Sequence, residues 1–120
     1  MKVIDTLTRV FVHDIDVAVH FYEEVLGKSC GMRFSYAEAG LKLAQVGSIL
    51  IIAGSDEALA PLLETRMTFL VDSVEEWRSE LLGKGAHMVR DAGHVPTGYN
   101  MTLRHPDGMV VEYVQHDDRA

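Results

Sequence analysis

A chain of 120 residues that is 48% hydrophobic and 24% charged has the size and make-up of one globular domain, which excludes a disordered, collagen-like or low-complexity polymer. Eleven Lys and Arg against 18 Asp and Glu leave a formal charge of −7, and such an acidic surface disfavours a nucleic-acid partner by repelling its phosphates. The lone cysteine, Cys30, cannot close an internal disulfide, and the longest apolar run, Ile49 to Ala53, is far short of the ~20 residues of a membrane span, so the expectation is a cytoplasmic protein without a membrane partner.

Polar residues interrupt the N-terminal stretch MKVIDTLTRV, which therefore reads as a strand over Val3 to Val12 and not as a signal peptide. Its alternation sends Leu7, Arg9 and Phe11 one way and Thr8, Val10 and Val12 the other. Asp14 then caps a helix whose expected buried stripe is Ala18, Phe21, Tyr22, Val25 and Leu26, with Gly27 at the left-handed C-cap. Three strand-like runs follow, Met32 to Ala37, Leu41 to Val46 and Ser48 to Ala53, separated by short turn segments that argue for an antiparallel meander. Ser55 to Thr65 reads as a connection with room for one helical turn before Pro61.

The order then repeats. Arg66 to Val71 is a strand, and Ser73 with Glu76 forms a capping box. Val74, Trp77 and Leu81 make a helical stripe that ends at Gly83 and Gly85. His87 to Arg90, Tyr99 to Arg104 and Met109 to Gln115 are strands, with the turn Pro106-Asp107-Gly108 between the last two. VLGK at Val25 to Lys28 and LLGK at Leu81 to Lys84 recur 56 residues apart. The expectation is an α+β fold of two βαβββ repeats, about 3–54 and 66–116, within one domain spanning 1–120.

Asp14, Ala18, Phe21-Tyr22 and Val25-Leu26-Gly27 in the first half resemble the vicinal oxygen chelate (VOC) superfamily, as do Phe69 to Asp72, Leu82, Gly85-Ala86, Pro96-Thr97-Gly98 and His105-Pro106-Asp107-Gly108 through Glu112 in the second. That superfamily includes glyoxalase I, extradiol dioxygenases and bleomycin-resistance proteins. The resemblance implies that each half curls into a partial barrel around a cup, and that the chain forms a homodimer. It also implies metal-ligand positions on the first strand of each half and on the last strand, here Leu7, Arg66 and Glu112. Only Glu112 carries a donor, because leucine cannot coordinate and a guanidinium opposes a cation. No metal or other cofactor is therefore expected, and Arg66 is positioned to pair with Glu112 instead.

Glu112 sits between valines in VVEYVQ, where an unpartnered carboxylate would be costly; it is either held by an arginine, Arg9 or Arg66, or used to bind a ligand. Strand parity puts Arg9, Arg66 and Phe11 toward the cup. Tyr36 and Phe34 are candidate apolar walls, and Gln45, Tyr99, Asn100 and Thr102 candidate polar contacts. The six histidines show no metal-binding spacing. The leading expectation is metal-independent binding of a small aromatic or cationic molecule, as in antibiotic sequestration. The alternatives are a lyase, isomerase or dioxygenase using a divalent metal on Glu112 and relocated ligands, a cofactor-free enzyme with Glu112 as general base, and a ligand-sensing domain.

Overall fold

Residues 1–117 are described by a computed structural model. The chain divides into two compact units, one being Thr8–Glu64 and the other Met1–Leu7 together with the chain from Thr65 onward. The division falls inside the first strand, β1 (Val3–Val12), so each unit corresponds closely to one sequence repeat.

In the first unit, β1 is followed by helix α1 (Ile15–Leu26) and strands β2 (Arg33–Tyr36), β3 (Leu41–Val46) and β4 (Ile49–Ala53). The strands lie in the order β2-β3-β4-β1, with β4 parallel to β1 and the other pairs antiparallel. Both ends of α1 close as expected. The Asp14 carboxylate accepts from the Val17 N–H, and Gly27, at φ 64°, donates its N–H to the Glu23 carbonyl. The connection holds a short helix α2 (Asp56–Leu59), capped by Ser55, and a 3₁₀ turn over Ala60–Leu62 containing Pro61.

The buried stripe of α1 differs from the expectation. Ile15, Ala18 and Val19 are buried and Tyr22 packs beside them, against Ala44, Val46, Ile51 and Ala53 of the sheet. Phe21 is 55% exposed and Val25 61%, and Leu26 is exposed as well. The helix carries two apolar rows, and Ile15, Ala18, Val19 and Tyr22 themselves follow i, i+3, i+4, i+7 spacing. The small alanines of the sheet receive the row with the smaller residues.

The second unit repeats the plan with β5 (Thr65–Val71), helix α3 (Val74–Gly83), β6 (His87–Val95), β7 (Gly98–Arg104) and β8 (Val110–His116). Its order is β6-β7-β8-β5, with β8 parallel to β5. Ser73 caps α3 by accepting from the Glu76 N–H, and the N–H of Val74 donates to the Gln115 side chain. Val71, Val74, Ala86, Met101, Leu103, Val111 and Tyr113 form the core beneath the helix, joined by Trp77 and Leu81. The shared GK pair does different work in the two halves. Gly27 leaves its helix in the left-handed region, whereas Gly83 is still helical and Gly85, at φ 95°, makes the exit. β6 runs five residues beyond the expected Arg90 and is paired with β7 through two register shifts.

Among the described residues, no helix is long and apolar enough to cross a membrane.

Candidate functional site

Alternation along β8 decides what its side chains meet. Val111 and Tyr113 are in the core beneath α3, so Val110, Glu112 and Val114 point to the opposite sheet face. In register, Thr68 of β5 lies beside Glu112, Glu112 beside Thr102 of β7, and Thr102 beside Arg90 of β6. These four residues form one row across four strands, with Asn100 two positions along β7 from Thr102.

The row is hydrogen-bonded around the carboxylate. Thr68 Oγ1 donates to Glu112 Oε1 at 3.3 Å, and Asn100 Nδ2 donates to Oε2 at 2.8 Å. Arg90 Nη2 lies 3.8 Å from Oε2, its side chain 62% exposed and that of Glu112 15%. Among the described residues the buried polar ones are Thr65, Thr68, Asn100 and Thr102. All belong to this unit, and three of them surround Glu112. No buried side-chain nitrogen or oxygen among the described residues lacks a hydrogen-bond partner, so the network is satisfied and oriented.

The other candidates divide clearly. Leu7 is 1% exposed and serves as core. Arg66, expected beside Glu112, sits at a β-bulge where the β5–β8 register shifts between Thr65 and Met67, and it is exposed to solvent. The extra residue breaks the parity that aimed its side chain at the carboxylate. Arg90 takes the nearby position instead. Tyr99 also departs from the expectation. Its ring packs on the helix side of the sheet, and its hydroxyl donates to Glu75 Oε2 of α3 at 3.0 Å. That bond raises the phenol's pKa above its ordinary value, since ionisation would set two anions side by side. Adjacent residues on one strand face opposite ways, so Tyr99 and Asn100 cannot share a face.

In the first unit, Phe11, Ile52, Leu43 and Phe34 form a row across all four strands, on the face away from α1. Tyr36 follows Phe34 with ring centroids 6.3 Å apart, making this face apolar and aromatic. Arg9, Leu50 and Gln45 form the next row, but the Gln45 amide donates to the Gly47 carbonyl and so closes its own turn. Thr68 and Arg90 were not anticipated. Thr68 shares the alternation of Leu70 on a readable strand, whereas the position of Arg90 depends on two irregularities of β6 that leave no mark in the sequence.

Comparison with solved structures places these features in context. An uncharacterized protein from Methanosarcina mazei is 46% identical over the whole of this chain and 98% of its own, with a TM-score of 0.91. Methylmalonyl-CoA epimerase from Mycobacterium tuberculosis, a VOC superfamily member, matches 98% of this chain and 91% of its own at 20% identity and a TM-score of 0.74. A further methylmalonyl-CoA epimerase, solved with methylmalonyl-CoA and NH4+, is 20% identical over 98% of this chain and 96% of its own, with a TM-score of 0.71. The chain belongs to the family of the Methanosarcina protein and has the VOC fold. No protein-family model and no curated protein sequence matches it.

The VOC fold implies a metal position that can be tested on the residues present. Leu7 is a buried hydrocarbon and Arg66 a cation, which leaves Glu112 as one donor where an ion needs three or more. Glu112 is also occupied by Thr68 and Asn100. No group of three or more His, Cys, Asp or Glu side chains among the described residues is arranged to hold an ion. These residues do not fit a metal.

Proposed function

We propose that the protein is a cytoplasmic, metal-independent binder of a small aromatic or cationic molecule, akin to the bleomycin-resistance branch of the VOC superfamily. One observation carries this reading: three of the four buried polar residues among those described gather around a single, still accessible carboxylate on a sheet face. An apolar sheet gains nothing in stability from such a group, because desolvating it costs as much as its hydrogen bonds return. A pre-oriented carboxylate flanked by Asn100, Thr102 and Arg90 instead offers hydrogen bonds and charge to a ligand. In the other unit, taken by itself, the aromatic face of Phe11, Phe34 and Tyr36 is a surface suited to planar groups. The metal-dependent alternative needs donors beyond Glu112, and Leu7 and Arg66 supply none.

The test begins with elemental analysis of protein purified without a metal-affinity tag and dialysed against Mg²⁺, Mn²⁺, Fe²⁺, Ni²⁺ or Zn²⁺. Sub-stoichiometric metal in every case is expected, and stoichiometric retention of any of them overturns the reading. A thermal-shift screen of aromatic amines, amidines and neutral aromatics follows, on the wild type and Glu112→Gln. Compounds that stabilise the wild type are expected to lose that effect in the variant.

A further inference from the structure

Arg90 reaches its place only because β6 is irregular twice. Met88 packs against the core beneath α3, and plain alternation would send Arg90, two residues on, to that same face. A register shift between Met88 and Arg90 instead carries Arg90 to the face of Glu112, opposite Thr102. A second shift, between Arg90 and Gly93, returns Ala92 to the core and sets Gly93 opposite Asn100. Such bulges re-aim side chains at the expense of ladder hydrogen bonds. Folding gains little from this one. The Arg90 side chain is 62% exposed, its Nη2 lies 3.8 Å from Glu112 Oε2, beyond hydrogen-bond reach, and no hydrogen bond joins its guanidinium to the described residues. An exposed and loosely held ion pair contributes little to stability. There is room beside it, because Gly93 brings no side chain to the face and a Cβ there would meet nothing within 4 Å.

Given the binding role proposed for Glu112, we infer that Arg90 determines the specificity of that site, and that the ligand is a short zwitterion of the α-amino-acid class. Its ammonium meets Glu112 and its carboxylate meets the Arg90 guanidinium. A guanidinium offers its N–H donors in a planar fork that matches a carboxylate, and those of Arg90 are not spent on the protein. Glu112 is the complementary anion, held in place by Thr68 and Asn100. With the two charges 3.8 Å apart, a ligand carrying only a cation is drawn by Glu112 and repelled by Arg90, and one carrying only an anion meets the reverse. A molecule with both charges satisfies both groups. Standard bond lengths put the nitrogen and the carboxyl carbon of an α-amino acid about 2.5 Å apart, with the carboxylate oxygens further out, so its charges span the pair without strain. Both contacts are charge-assisted and therefore stronger than neutral hydrogen bonds.

Isothermal titration calorimetry of the whole chain against matched pairs reads this discrimination. The pairs are phenylalanine and phenethylamine, tyrosine and tyramine, and arginine and agmatine, each amine being the amino acid without its carboxylate. At least one amino acid is expected to bind about tenfold or more tighter than its amine. Arg90→Gln is expected to bring that ratio to about one, while the amine binds at least as well as it does to the wild type. Arg90→Lys, which keeps the charge and loses the fork, is expected to recover only part of the ratio. Glu112→Gln is expected to weaken both members of the pair. The melting temperature of Arg90→Gln is expected to match that of the wild type, since the side chain is exposed and makes no hydrogen bond to the described residues. Amines that bind through Glu112 with their amino acids no tighter overturn the inference and leave the binding role of Glu112 standing. A ratio unchanged in Arg90→Gln overturns it as well. Binding of none of these compounds overturns it too, and the thermal-shift screen then decides the binding role separately.

Discussion

Tyr113 follows Glu112 directly in the chain and reports on the orientation of β8. Its side chain is 2% exposed, packed against Phe69 at 5.3 Å and Trp77 at 6.4 Å between ring centroids. Its hydroxyl is hydrogen-bonded to His105 Nε2 at 2.8 Å. Burial raises the phenol from its ordinary 10.0 to about 12, because the phenolate would lose its hydration. The folded state thus favours the neutral phenol. Stability from this group is complete below pH 10 and drains away as pH rises toward 12. The gap of two pH units corresponds to about 2.7 kcal/mol, at about 1.4 kcal/mol per unit. Tyr113→Phe removes both effects. At pH 8 the variant loses one hydrogen bond and is less stable by about 0.5–1.5 kcal/mol. Above pH 10 the wild type pays a penalty that the variant escapes, so the two stability curves cross between about pH 10 and pH 11. Urea unfolding at half-unit steps from pH 8 to 11.5 measures the difference, and the three remaining tyrosines cancel. Parallel curves would refute the argument, and with it the parity that sends Glu112 to the opposite face.

Two further outcomes follow from the same geometry. Gly98 adopts φ 153°, and a Cβ there would collide with the Gln115 carbonyl and lie 3.0 Å from His116 Cα, all backbone of β8 or its end. Gly98→Ala is expected to cost about 3 kcal/mol or more in urea unfolding, while Gly93→Ala, which meets nothing within 4 Å, stays within about 1 kcal/mol of the wild type. Asp91 is held down to about 2 by the Arg78 guanidinium, with help from the Ala92 N–H. A lowered carboxylate contributes stability above pH 4 that is lost as pH falls toward 2. Asp91→Asn is expected to flatten the acid limb of the stability profile in that window, and an unchanged limb would show that the pair is screened to nothing.

Much of the architecture is written in short-range chemistry. Asp14 and Ser73 accept from the backbone amides of their helices, Gly27 takes the left-handed cap, and Pro106-Asp107-Gly108 turns β7 into β8. Each is a decision made within four residues, so a linear reading captures it. The repeat is equally visible, because two copies of one topology carry the same order of periodicities. Alternation in VVEYVQ was enough to set Glu112 against Val111 and Tyr113. The same rule applied to β7 separates Tyr99 from Asn100.

Where the structure departs from the sequence expectation, the deciding contacts lie far apart along the chain. Helix α1 carries two apolar rows of similar spacing, and the alanines of β3 and β4 select the one that is buried. Arg66 obeys strand parity on paper, but a bulge against β8 turns it to solvent and leaves Arg90, 22 residues from Glu112, to approach the carboxylate. Local propensities and caps act through neighbours and are legible one residue at a time. The facing of a helix, the register of a bulge and the company a carboxylate keeps depend on which distant surfaces fill the space between elements, and only packing in three dimensions settles that.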